Sequence, residues 1–272
     1  MNDIRLGTSG YSFDDWYPSH VKGPQMFHYY VDQLRLRTVE INYTFYRMPS
    51  ARVFDFYVNK SPDSFDFTVK LFGGITHDSC QNGTSPVVDK DLCARFIDGI
   101  KPLVESSKLG CILAQFPPHL SPGKNAWDYL LSLHDSLRDY KLVYEFRNKK
   151  WVSEKTISAL KRVGVGYCAV DCPQVGPLMP LVPAVTSNIG YLRMHGRNKK
   201  WFADKSVRYD YLYSMDELKG FLPTIYSMAS MCSTVYVQFN NCHAGSALRN
   251  VKMMQCLLGQ DEPPLQGVLF GF

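Results

Sequence analysis

The chain has 272 residues, of which 45% are hydrophobic and 20% charged, with a net charge of +5. That composition excludes a disordered or low-complexity chain and leaves room for one large α/β domain or two small ones. The mild basicity suits an anionic ligand and permits nucleic acid without requiring it, and no run of about 18 apolar residues exists to make a membrane span.

The first residues lead straight into an apolar strand without a signal-peptide core, so a cytoplasmic location is expected. That strand covers 4–9 and is followed by an aromatic loop at 13–17. A helix is expected over 24–36, with Pro24 in its first turn. A second strand covers 38–43, and a helix capped by Ser50 covers 50–59. A third strand at 65–70 opens into a long polar loop at 72–88, which reads as a cover over a site. A helix over 89–107, a strand over 111–115 ended by Pro117-Pro118, and a helix over 125–138 come next. A strand at 142–146, a helix at 153–163 and a strand at 165–170 follow. Four prolines in 172–187 predict an irregular crossover. The seventh strand contains Tyr191. Ser214 and Glu217 form a capping box that opens a helix to 231, and a strand at 235–240 and a helix at 247–258 close the series.

Eight strands, each followed by a helix or crossover, in about 250 residues have the length and order of a single-domain (β/α)₈ TIM-type barrel over 1–272. A doubly wound open sheet is the alternative, but no G-x-G-x-x-G supports it. The eight cysteines show no C-x-x-C spacing, so a zinc ribbon is excluded and reduced thiols are expected. Cys172 and Cys242 fall just beyond strand ends.

Side chains alternate between the two faces of a strand. In the second strand Val39, Ile41 and Tyr43 oppose Glu40 and Asn42; in the third, Phe67 and Val69 oppose Thr68 and Lys70. Ala114 and Phe116 oppose Gln115, and Tyr144 and Phe146 oppose Glu145 and Arg147. Cys168 and Val170 are assigned to the helices, opposite Tyr167 and Asp171. In the seventh strand Tyr191, Arg193, His195 and Arg197 share a face, and Gly196 suggests a bend or a close backbone approach. Gln238 and Asn240 end the last strand. One polar face per strand would converge on the C-terminal mouth of the barrel.

So much buried charge is costly unless paired. Glu40 with Arg193, or Glu145 with Arg147, could be structural ion pairs. The whole set points further, to an enzyme such as a hydrolase, lyase or isomerase acting on a small anionic substrate, phosphorylated or carboxylated and sugar- or nucleotide-like. Glu40, Glu145 and Asp171 would serve as acid or base with His195 assisting, its imidazole kept neutral by nearby cations. Lys70, Arg147, Arg193 and Arg197 would hold the anion. Asn42, Gln115, Asn240 and Asn241 would orient hydroxyls, and Tyr11, Trp16 and Tyr46 would wall the pocket.

At these residues the chain resembles the YecE-like family, domain of unknown function 72. The shared motifs are Gly7-Thr8-Ser9-Gly10-Tyr11-Ser12 with Asp15-Trp16, Thr38-Val39-Glu40-Ile41-Asn42, Thr44-Phe45-Tyr46, and Phe67-Thr68-Val69-Lys70. They continue with Thr76-His77, Gln115-Phe116-Pro117-Pro118, Glu145-Phe146-Arg147 with Trp151, Arg193-Met194-His195-Gly196-Arg197, and Phe239-Asn240-Asn241. Trp201-Phe202 and Cys242-His243 depart from the pattern. The resemblance implies a TIM-type barrel and brings no established reaction; His77, from its motif, joins the substrate-binding set. Two other readings stay open. One is a metal-dependent phosphodiesterase like the endonuclease IV barrels, which is analogy of fold alone; its histidines are few, though one divalent ion at Glu40, Glu145 and Asp171 is an option. The other is a non-catalytic module that binds a small ligand. Nucleic acid would call on Lys149-Lys150 and Lys199-Lys200, which are short runs.

Overall fold

The computed structural model describes residues 3–81, 85–176, 178–203 and 207–260. Its eight strands are β1 (Asp3–Thr8), β2 (Thr38–Ile41), β3 (Asp66–Lys70), β4 (Leu109–Gln115), β5 (Leu142–Glu145), β6 (Gly166–Asp171), β7 (Ile189–Met194) and β8 (Thr234–Phe239). All pair in parallel, in the order β1-β8-β7-β6-β5-β4-β3-β2. The two ends of the sheet meet where Ser9 bridges to Glu40 and the Gly10 N–H donates to the Glu40 carbonyl at 2.9 Å. Gly7 permits this closure. A Cβ there would lie 2.6 Å from the Thr38 carbonyl oxygen and 2.7 Å from Gln238 Oε1, inside van der Waals contact on both sides.

Parallel strands need crossovers, and helices supply most of them. They are α1 (Pro24–His28), continued by a π-helical turn at Tyr29–Gln33, then α2 (Tyr43–Tyr46), α3 (Ala51–Lys60), α4 (Gly73–Thr76) and α5 (Lys90–Glu105). After them come α6 (Lys124–Ser136), α7 (Glu154–Val163), α8 (Met215–Met231) and α9 (Ser246–Leu258). Asp89 and Ser153 accept backbone N–H groups at the starts of α5 and α7, and the Ser214–Glu217 capping box opens α8. Residues 172–176 and 178–187 carry no helix, as the prolines require; Pro177 lies outside the described residues. The loop expected at 72–88 begins with α4, and its residues 82–84 lie outside the described set. Among the described residues no helix is long and apolar enough to cross a membrane.

The apolar core lies between strands and helices. Phe27 of α1 and Tyr57 of α3 both stack on Phe67 of β3, with ring centroids 6.0 and 5.6 Å away. Phe67 is fully buried, a burial worth about 1.5–3 kcal/mol. The lumen mixes apolar residues such as Leu113, Val143 and Val170 with charged ones. At its N-terminal end Arg5 pairs with Asp66 at 2.8 Å, and the Tyr236 hydroxyl donates to the same carboxylate. Midway, the hydroxyls of Thr68 and Tyr191 meet at 2.9 Å. The strongest charges come at the other end.

Candidate functional site

Strand alternation places Glu40, Glu145 and Arg193 in the lumen, from β2, β5 and β7. Arg193 Nη2 donates to Glu40 Oε1 and Nη1 to Glu145 Oε2, each at 2.6 Å, and Nη2 reaches Ser9 Oγ at 3.3 Å. The Tyr191 hydroxyl donates to Glu40 Oε2 at 2.8 Å. Both carboxylates are 0% exposed and Arg193 is 1% exposed. Arg147 Nε lies 2.5 Å from Glu145 Oε1, a contact of charge rather than an aligned hydrogen bond. Burial alone would raise the Glu145 carboxyl; Arg147 and Arg193 outweigh it and hold Glu145 well below the usual carboxylate range. His195 is buried against the same carboxylate. The Asn240 amide donates to its Nδ1 at 2.9 Å, so the ring proton sits on Nε2, which faces Glu145 Oε1 at 3.3 Å. Burial, then Arg147, lowers His195 to about 3 and keeps the ring neutral.

Above this ion-paired floor lies an open cavity of about 580 Å³. Of the residues expected there, Tyr11, Asn42, Tyr46, Lys70, Gln115, Arg147, Arg193 and Asn240 line it. Glu40, Glu145 and His195 lie sealed beneath. Lys70 ends β3 with its ammonium 4.1 Å from the centre of the Phe45 ring. Burial first, and then Arg193, brings Lys70 down to about 7.

Five expected residues stand elsewhere. Asp171 is on the outer face of β6, because β6 has the opposite parity to the one assigned from sequence. Cys168 pairs with Tyr191 and Val170 with Arg193, so Cys168 and Val170 face the lumen, while Asp171 pairs with Met194 on the helix side. There it accepts from Arg197 Nε at 3.0 and 2.9 Å and from the Tyr213 hydroxyl at 2.6 Å. Arg197 leaves the lumen because Gly196 has φ +87°, which ends the alternation; it also reaches Glu217 and lies over the rings of Tyr213 and Phe221. Asn241 is buried, donating to the Tyr211 carbonyl and to Asn250, each at 2.8 Å. Trp16 stacks behind Phe13 with centroids 4.5 Å apart, and Phe13, not Trp16, meets the cavity. His77 sits edge-on to Phe45, and burial followed by Lys70 lowers it to about 4.

The lining also includes residues that strand alternation did not supply: Ser9, Tyr43, Tyr57 and Tyr209 among them. Ser9 was within reach, since it shares parity with Gly7 on β1. Tyr43 enters because β2 stops at Ile41 and Asn42 turns into α2, so the alternation that sent Tyr43 outward no longer applies. Tyr57 comes from a helix and Tyr209 from a loop, which strand parity cannot reach. Cys242 also lines the cavity, its thiol pushed up by burial, whereas Cys172 is buried against the Met179 carbonyl. The three carboxylates considered for one divalent ion do not converge, because Asp171 lies outside the barrel wall. Among the described residues no three His, Cys, Asp or Glu side chains are placed to share a metal ion.

Fold and site together define an α/β barrel whose C-terminal mouth has a buried ion-pair floor and a polar, tyrosine-rich rim. The chain belongs to the family described as "Protein of unknown function DUF72", which matches residues 5–268. It is 31% identical over 270 residues to UPF0759 protein YunF of Bacillus subtilis (strain 168), covering 94% of each chain. It is similar to the crystal structure of a DUF72 family protein from Thermotoga maritima MSB8, with a TM-score of 0.87 and 38% identity, covering 94% of this chain and 99% of that one. A DUF72 family protein from Enterococcus faecalis V583 gives a TM-score of 0.82 at 27% identity, covering 96% of this chain and 99% of that one.

Proposed function

We propose that the barrel mouth binds a small anionic compound, phosphorylated or carboxylated and sugar- or nucleotide-like, and acts on it by acid/base chemistry. The charge balance carries the reading. The carboxylates of Glu40 and Glu145 are matched by the guanidiniums of Arg193 and Arg147, so a protonated Lys70 leaves the group with an excess of one positive charge. An anion would therefore lie between Lys70 and Arg147. Asn42, Gln115 and Asn240 offer amides to hydroxyls, and Tyr11 and Tyr46 offer ring faces. The proton-exchanging group on the cavity side is Lys70, because Glu40 and Glu145 lie buried in the floor and Asp171 lies outside the barrel wall. That burial is also what favours the second reading, a binding module without turnover.

Sulfate is the probe of choice, since its charge is constant from pH 6 to 9. Calorimetry is expected to show saturable binding at pH 6 that weakens as pH rises through about 7, where Lys70 loses its proton. Lys70→Met and Arg147→Met are each expected to weaken binding at pH 6 by about tenfold or more, one charge-assisted contact of roughly 1.5–3 kcal/mol. Binding unchanged in both variants, or none in the parent, would overturn the reading.

A further inference from the structure

We infer that Lys70 is an imine-forming amine, and that the cavity takes an aldehyde or ketone carrying a carboxylate or phosphate group. The inference rests on the anion-binding reading above and names the substrate class. Lys70 lines the cavity, yet among the described residues its ammonium has neither a salt bridge nor a hydrogen bond, only the face of Phe45. The nearby carboxylates are already bound to Arg193 and Arg147. A cation wanted only to hold an anion is better built from arginine, which never loses its charge. A largely desolvated lysine lining a cavity, without a carboxylate of its own, is instead a recognised setting for an amine nucleophile. The lowered Lys70 agrees, since its free amine is well populated near neutral pH.

The geometry assigns the remaining parts. Of the strands flanking β3, β2 is followed directly by Asn42 and β4 ends in Gln115, both on the cavity. Their amides are placed to donate to the carbonyl oxygen as it gains charge. Arg147, one strand further round, takes the anionic group. The Lys70 Nζ lone pair attacks the carbonyl carbon, the C–N bond forms, and the carbonyl π pair moves onto oxygen. That oxygen takes up one proton passed on from nitrogen and a second from solvent, then leaves as water. The products are a protonated imine and water; nothing is oxidised or reduced. The iminium draws electrons from the adjacent carbon, which opens proton removal there or carbon–carbon cleavage, the work of isomerases and lyases.

The test uses the full chain with pyruvate, glyoxylate and dihydroxyacetone phosphate as separate probes, each in the presence of sodium borohydride. Reduction fixes an imine as a secondary amine, which peptide mass mapping locates. At least one probe is expected to label Lys70 at least tenfold more than exposed Lys149 or Lys150, with excess sulfate suppressing the label. If sulfate binds but Lys70 is labelled no more than the surface lysines, the imine falls and the anion reading stands. Labelling of Lys70 that sulfate does not suppress supports the amine and removes the anion reading. Neither binding nor labelling removes both.

Discussion

Replacing Arg193 by methionine tests the ion-pair floor most directly. The substitution keeps an unbranched apolar stem and removes two hydrogen-bonded ion pairs of 2.6 Å, one to each of two fully buried carboxylates. Breaking one buried pair costs roughly 3–5 kcal/mol, chiefly because a charge stays buried without its partner. The loss is not doubled here. Glu145 keeps Arg147 and His195, and Glu40 keeps the Tyr191 hydroxyl. A loss of about 4 kcal/mol is expected, or a fall in Tm of about 8 °C at some 2 °C per kcal/mol for a chain of this size. The loss must also depend on pH. Without Arg193, a carboxyl that was held low moves upward, so the variant recovers stability by protonation as pH falls and loses it as pH rises. Urea unfolding at pH 5 and pH 8 should show the larger deficit at pH 8. A deficit under about 1 kcal/mol and equal at both pH values would refute the account of the floor.

Three further outcomes follow from the same geometry. Lys70 has a folded value of about 7 against 10.5 for the free side chain, so between those values the unfolded chain binds more protons; its neighbours Arg193, Arg147, Glu145, Glu40 and His77 are common to parent and variant. Parent stability should therefore rise relative to Lys70→Met from pH 7 to 9, by at most about 1.4 kcal/mol per pH unit, and a constant difference in urea titrations would contradict it. Asp171→Asn weakens the Arg197 pair and the Tyr213 hydrogen bond, so thermal melts should show a loss of about 1–3 kcal/mol, while calorimetry should find sulfate affinity changed by less than threefold; a tenfold loss would return Asp171 to the site. Gly196→Ala forces a Cβ to within 2.5 Å of Tyr211 Cβ at φ +87°, and a cost of roughly 1–3 kcal/mol is expected in the same melts, against none if the turn yields freely.

The barrel was legible because the strands are separated by caps, prolines and turn residues at spacings only a β/α series satisfies. The floor and the cavity above it were legible where a strand carries charge at one parity alone, as with Glu40 on β2 and Glu145 on β5 for the floor and Lys70 on β3 for the cavity. β6 shows where that logic fails. All six of its residues are buried, so apolar and polar positions do not alternate, and its facing was read from Asp171 alone. Pairing settles the question, since partners across adjacent strands share a face and Arg193 fixes that of Val170. Arg197 failed for a backbone reason, the positive φ of Gly196, whose presence was visible in the sequence but whose consequence was not.

The separation of floor from rim changes what the buried carboxylates are for. Acids meant for proton transfer need a value near working pH and a path to the ligand; Glu145 has neither, being held well below its ordinary range and out of the cavity. Stability does not explain the floor either, because apolar packing of the same volume often serves as well as buried charge. The floor does, however, act on the rim. It holds Arg193 in place, and Arg193 is, after burial, the strongest influence drawing Lys70 down from the range of a free lysine. Glu40 and Glu145 oppose that pull, but each is already committed to a guanidinium. An unpaired amine with a fixed cation beneath it loses its proton far more readily than a surface lysine does. The buried triad is in that sense the electrostatic support of Lys70, the amine that the triad leaves without a partner.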